Sequence, residues 1–466
     1  MKDMKQMTEI PGNEGTLKNE QAREILYGGL EEAARARGTS LEIFHETRNL
    51  DHFSFENRDL KQSQHKESEG WGLRVLRDGR MGISSTTESS RLMEALLLAL
   101  EMAPLGPTSA ASLLPPATSF SPVKTFDQKV ADQDINSLID IGREVVDRVL
   151  DDLPDANVLA DVYRVFELKS VRNNQALKGS YLQSLVVVFV SAKLVKEGDI
   201  LSCSESSYSC RWDPEHIMGV ARKLVEKVRM AHEISFMNTG QCPVLFTGSA
   251  INAILLPLLS ALNGRGFLEG ISILQSRMDK ETFSSNLTVV DDSTMDFLPG
   301  SSPFDDEGTP SRRTVLVENG IPSSIICDLE TAARLKVPPT GNGYRRSRSG
   351  GTSFAVMPHT TISNITVSSG SAPLEEIIRM VDDGLLVNQV MGAGRGDIQN
   401  GDYSVNVYLG YRIKNGQIAG RVKNTMVSGN ILEDLNHLLA LGDTPYQPSS
   451  NIFCPAILVD DVSVSA

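Results

Sequence analysis

The sequence predicts an α+β chain in two domains: an N-terminal mixed α/β domain, and a C-terminal domain of mostly antiparallel sheet with covering helices. Three observations predict it. With 466 residues the chain exceeds the roughly 150 of a single domain. Helical periodicity and strand alternation take turns before residue 235. After residue 240, short alternating runs rich in glycine, serine, threonine and valine dominate, interrupted by few helical stretches. The domains are therefore placed at 1–234 and 235–466, with a proline- and serine-rich connection over 104–123 inside the first.

Element by element, Ala22, Ile25, Leu26, Leu30 and Ala33 recur at helical spacing, and Gly38 stands where a C-terminal cap belongs. Leu41 to Thr47 alternates as a strand, with Leu41, Ile43 and His45 on one face. Gly70 to Val75 and Met81 to Ser84 read as a hairpin around the tight Asp78-Gly79 turn. Ser85 and Glu88 form a capping-box pattern ahead of an apolar helix from Leu92 to Met102.

Beyond the prolines the order repeats. A helix carries Ile135, Leu138, Ile139, Val146 and Val149, and strands follow over Val158 to Phe166 and Leu182 to Val190. Asp213-Pro214 opens another helix as N-cap and first-turn proline. Ser235 to Gln241 reads as the interdomain linker, followed by a strand at Val244 to Phe246 and a helix from Ala250 to Leu262. Later helices are predicted over Leu374 to Val381 and Ile431 to Leu441.

Composition narrows the function. The charge is −14 at neutral pH, which repels nucleic-acid phosphates and anionic membranes, so neither is expected as partner. No apolar run approaches the roughly 20 residues of a membrane helix, and Met1 to Thr8 lacks the apolar core of a secretory signal. The five cysteines are scattered without a Cys-x-x-Cys pair, as in a reduced cytoplasmic protein.

Catalytic signatures are sparse. His45-Glu46 and His232-Glu233 lack a second histidine one helical turn on, so no zinc-peptidase helix is read there. No Gly-x-Ser-x-Gly elbow occurs. The glycine-dense stretches Gly341–Gly343 and Gly392–Gly396 match no phosphate loop and read as turns. Two groupings stand out. Asp305, Asp306 and Glu307, closed by Gly308, have the wrong spacing for a calcium loop and suggest a structural turn. Arg345 and Arg346 follow the Gly-Asn-Gly turn at Asn342. They could present outward to grip a peptide carboxylate or carbonyl, stay solvated, or brace the acidic loop.

In order along the chain, Glu69–Val75, Asp78–Gly82, Gly300–Pro310, Glu318–Gly320, Thr340–Gly343, Gly401–Ser404, Tyr411–Gly416 and Ser428–Asn430 together resemble the TldD/PmbA family. One branch of that family carries His-Glu-x-x-x-His on the first helix of the C-terminal domain and a cysteine near the end, forming a zinc site. Here that helix has neither histidine nor glutamate, and Pro445 to Asn451 has no cysteine. The chain thus resembles the TldE (PmbA) branch. The resemblance implies a subunit with no metal and no catalytic residue of its own, paired with a TldD-like zinc-binding subunit in a heterodimeric metallopeptidase. Unstructured peptides or leader peptides are the implied substrates. Asn342, Arg345 and Arg346 are candidate substrate-binding residues, beside a structural motif of Asp305, Asp306, Glu307 and Gly308. A stand-alone peptide-binding or adaptor protein is the alternative.

Overall fold

The computed structural model describes residues 16–111, 115–116, 118–196, 198–346, 353–395 and 397–466. Met1 to Thr8, Gly396 and parts of the proline- and serine-rich connection lie outside the described residues. Helix α1 (Thr16–Arg35) leads into strands β1 (Ser40–Glu56), β2 (Asp59–Arg77) and β3 (Arg80–Thr86), then helix α2 (Leu92–Met102). After the short turn α3 (Gln128–Ala131) the order recurs: α4 (Ile135–Asp152), β4 (Asn157–Asn173), β5 (Lys178–Lys196), β6 (Asp199–Ser209) and α5 (Pro214–Met230). All six strands form one antiparallel sheet in the order β3-β2-β1-β4-β5-β6, so two helix–meander–helix units meet at the β1–β4 pair.

The strands are longer than their apolar stretches. β1 and β2 continue as a polar hairpin to Glu56 and Asp59, because Asn49 and Asp51 share the buried face with Phe53 and Phe55 and break the apolar signal. β6, rich in serine, is likewise absent from the sequence reading. The Asp78-Gly79 turn forms as expected, with φ of 49° and 70°. The capping box does not. Ser85 belongs to β3, a turn at Ser89–Arg91 precedes α2, and no side chain caps it.

The second sheet begins with β7 (Gly240–Phe246), which feeds helix α6 (Asn252–Ala261) and the short helix α7 (Gly264–Leu268). Strands β8 (Val289–Asp292), β9 (Arg313–Glu318) and β10 (Ile321–Pro322) and helix α8 (Leu329–Leu335) follow. Next come the two-residue strands β11 (Gly343–Tyr344) and β12 (His359–Thr360), which among the described residues pair only with each other, then β13 (Ile365–Val367) and helix α9 (Leu374–Arg379). The chain ends with β14 (Asp383–Met391), β15 (Asp402–Lys414), β16 (Gln417–Arg421), β17 (Met426–Asn430), the turn α10 (Ile431–Asp434), β18 (Leu438–Ser449) and β19 (Ile452–Ser465). β7 pairs with β14 on one side and β19 on the other, so β7, β14, β15, β17 and β19 close into a ring. Pairing is antiparallel except at β7–β14 and β13–β19. The helix predicted over Ile431 to Leu441 stops at Asp434. Leu438 and Leu441 instead pair with β19, where the strand's apolar edge gives them more burial than one helical face could.

The fold is thus α+β. The change of sheet falls between Met230 and Gly240, yet the apolar core runs across it. Val146 of α4 and Leu224 of α5 belong to one buried cluster with Val188 of the first sheet and Leu386, Leu409 and Leu458 of the second. Tyr411 of β15 adds a hydrogen bond, its hydroxyl donating to the Lys227 carbonyl of α5 at 2.9 Å. Among the described residues no helix is long and apolar enough to cross a membrane.

Candidate functional site

Strand periodicity decides the first half of the site. Leu41 and Ile43 of β1 face the cluster formed with α1 and α2. Glu42 and Phe44 therefore face the other way, toward the loops that follow β8. Those loops carry Asp305 to Gly308 and Asn342 to Arg346, and both stretches are drawn into the same buried junction.

Each carboxylate of the acidic loop is committed. Asp305 accepts from the main-chain N–H of Glu307 (3.0 Å), Thr309 (2.8 Å) and Gly343 (2.9 Å). Asp306 accepts from the N–H of Arg345 at 2.7 Å. Glu307 takes Arg74 Nη1 at 2.7 Å on one oxygen and the Leu329 N–H, at the start of α8, at 2.8 Å on the other. Gly308 has φ +81°, and a Cβ there would lie 2.2 Å from Leu177. Phe304, just before the acidic run, fills the space between Phe120 and Tyr181, with ring centroids 4.4 and 5.3 Å away. This geometry is a loop hub, in which each carboxylate holds donors of the chain itself.

The two arginines separate. Arg345 turns inward and is 4% exposed. Its Nη2 donates to Glu42 at 2.6 Å, its Nη1 to the Val356 carbonyl at 2.8 Å, and its guanidinium stacks on Phe44 at 4.9 Å. Arg74 donates to the other Glu42 oxygen at 2.5 Å, so Glu42 bridges two buried guanidiniums. Burial works against both charges. Glu42 and Glu307 nevertheless hold the Arg74 pKa above the usual guanidinium value, whereas burial draws that of Arg345 down. An outward-facing arginine pair is thus not formed. Arg345 and Arg346 continue from the extended pair β11, where successive side chains leave on opposite sides, and Asp306 fixes the first of them inward. Asn342 is buried as well, donating to Asp291 at 3.1 Å and to the Thr361 carbonyl at 3.0 Å.

Arg346 alone of the three reaches open space. It stacks over Tyr344 at 4.9 Å, donates to the Ile362 carbonyl at 3.1 Å, and lines a cavity of about 680 Å³ with Asn263, Asp328, His359 and Thr360. Sequence reasoning passed over Glu42, the node of the network. Its signal was a lone acid inside an apolar strand, where a charge persists only if it is paired.

Residues 239–466 match the family model described as the PmbA/TldA metallopeptidase C-terminal domain, and residues 41–103 match that of PmbA/TldA metallopeptidase domain 1. The chain belongs to the TldD/PmbA family. A metalloprotease TldD homolog from Buchnera aphidicola (subspecies Acyrthosiphon pisum) is 26% identical over 425 residues, spanning 83% of this chain and 82% of that one. A metalloprotease PmbA homolog from the same organism is 26% identical over 229 residues, 49% of this chain and 47% of its own. The crystal structure of TldE from Thermococcus kodakarensis superposes with a TM-score of 0.85, covering 95% of this chain and all of that one. At 21% identity that likeness concerns the fold.

The TldD/PmbA fold brings α6 and the stretch after Pro445 together here. Asn252 Nδ2 donates to the Pro448 carbonyl at 3.0 Å, and Asn252 Oδ1 is buried without a partner among the described residues. Asn252 and Ser260 are the only polar side chains of α6; Ile254, Leu255 and Leu258 are buried. A neutral amide and a hydroxyl do not make the nitrogen and sulfur donor set that zinc requires, so these residues do not fit the metal. Cys454 is sealed inside β19, where burial pushes its thiol well above the usual pKa and the thiol donates to the Pro455 carbonyl at 3.4 Å. His45 and His52 do not converge either, pairing with Glu69 at 2.8 Å and Asp161 at 2.7 Å. Among the described residues no group of three or more histidine, cysteine, aspartate or glutamate side chains is arranged to hold a metal.

Proposed function

We propose that this chain is the TldE/PmbA-like subunit, without a metal site, of a heterodimeric TldD/TldE-type zinc metallopeptidase that acts on unstructured peptides or leader peptides. The observation that carries the reading is the α6 junction. The helix meets the stretch after Pro445 as the resemblance implies, but through an amide–carbonyl hydrogen bond instead of metal ligands. In this reading the zinc would be held by the partner subunit and would supply Lewis acidity toward the scissile carbonyl and the attacking water. This chain contributes wall and grip, with Arg346 presenting a fixed cation to peptide carbonyls or carboxylates along the 680 Å³ cavity. Arg345 and Asn342 take the bracing role, since their hydrogen bonds are spent inside the protein.

Co-expression with a TldD-like chain tests it. The expected result is a stable heterodimer by light scattering that carries zinc and digests an unstructured peptide, with neither activity nor zinc in this chain alone. Stoichiometric zinc and peptide cleavage by the isolated chain would overturn the proposal. Failure to associate with any TldD-like chain would favour the stand-alone binding protein instead.

A further inference from the structure

A second cavity, of about 220 Å³, lies between the two sheets, bounded by β6, α5, the end of β14 and β18. Its polar groups are arranged in an unusual way. Gln389 of β14 is 7% exposed, and its Nε2 donates to both the carbonyl (2.7 Å) and the hydroxyl (3.1 Å) of Ser204. Those two bonds fix the amide orientation, and Gln389 Oε1, which can only accept, is left buried without a partner among the described residues. Ser207, 4% exposed, also lines this cavity, and its buried hydroxyl has no partner among the described residues. A buried acceptor without a donor has lost its water and gained nothing in return, so a ligand supplying an N–H here recovers what the fold leaves unmet.

The charges point the same way. Glu205 and Lys227 both line the cavity but neutralise each other at 2.5 Å. Lys223, one α5 turn earlier, lines it with an exposed ammonium and has no ion-pair partner among the described residues. Phe189, Tyr446 and Phe453 supply apolar wall. An acceptor for an N–H, a free cation and an apolar surface together recognise one chemical unit: an amide followed by a carboxylate, with a side chain between them. The volume is below the ~300 Å³ at which drug-sized ligand sites begin, which suits the end of a chain and not its middle.

We propose that this cleft binds the carboxyl-terminal residue of a peptide, with its N–H on Gln389 Oε1 and its carboxylate on Lys223. The site belongs to this chain alone, so its test is independent of any partner subunit. The full-length chain is titrated calorimetrically with N-acetyl-alanyl-phenylalanine and with the same dipeptide as its carboxyl-terminal amide. The free acid is expected to bind about ten-fold tighter or more, as a charge-assisted bond requires. Lys223→Gln, a surface change that leaves the fold intact, should erase that preference. Gln389→Met should weaken both probes. Equal affinity for acid and amide, no binding of either, or a preference that survives Lys223→Gln would each overturn the proposal. So would N-acetyl-glutamate amide binding as tightly as the free acid, which would reassign the site to an acidic side chain.

Discussion

Replacing Glu42 with glutamine should cost this protein more stability than any other single charge removal in the first sheet. The carboxylate is 1% exposed and holds Arg74 at 2.5 Å and Arg345 at 2.6 Å, themselves 6% and 3% exposed at the side chain. Without it, Arg74 keeps its ion pair with Glu307, while the Arg345 guanidinium keeps the Val356 carbonyl, the Phe44 ring and the charge of Asp306 but loses its ion-pair partner. Breaking one buried pair costs about 3–5 kcal/mol. The amide keeps one acceptor oxygen but presents an N–H₂ to the other guanidinium, so the loss is expected within that range. Because Glu42 lies in β1 and Arg345 beyond β11, the loss also loosens the first sheet from the β11–β12 hairpin region of the second half. Thermal melting together with limited proteolysis between Met230 and Gly240 reads both effects. A fall in stability under about 1 kcal/mol, the scale of a solvated surface pair, would refute the argument. As a control, Glu42→Leu with Arg345→Met should restore part of the loss, because Arg74 then keeps Glu307 as its ion-pair partner and the apolar replacements leave no guanidinium without one.

Asp434 gives a pH test: burial, helped by Glu433, pushes its carboxyl from 3.8 up to about 6. The folded chain then holds a proton that the unfolded chain releases. This contribution is complete below pH 3.8 and is lost as pH rises to about 6. Asp434→Asn should therefore melt near the parent temperature at pH 4 and above it at pH 7.5; an equal shift at both would contradict the assignment. Phe304→Ala removes a ring 2% exposed between Phe120 and Tyr181 and should destabilise by about 3–5 kcal/mol in a melting experiment. Arg346→Ala should leave melting unchanged yet weaken peptide processing by the assembled complex by about 1–3 kcal/mol, whereas Arg345→Ala should act on melting first. Unchanged turnover of Arg346→Ala at limiting peptide would remove its gripping role.

Much of the local structure was legible in the order of residues. Asp213-Pro214 starts α5 as read, with the Asp213 carboxylate accepting the His216 N–H at 3.1 Å. Asp78-Gly79 turns the hairpin, and the periodicity of Ile135 to Val149 marks α4. These signals depend on neighbours three or four residues away. The polar half of the β1–β2 hairpin, serine-rich β6 and the strand at Leu438 were hidden because their burial comes from distant segments.

The site divides along the same line. By itself the sequence determined that α6 lacks zinc-ligating side chains, that three carboxylates cluster before Gly308, and that the family motifs run in order. It could not say which way a side chain faces. Arg345 and Arg346 are adjacent and chemically identical, and only the register of β11 and the hold of Asp306 send one into the core and leave the other on a cavity. Glu42 and Arg345 are 303 positions apart, and Gln389 and Ser204 are 185 apart. The free energy that pairs them comes from excluding water where the first sheet meets the second half of the chain, a contact that exists only once both have folded.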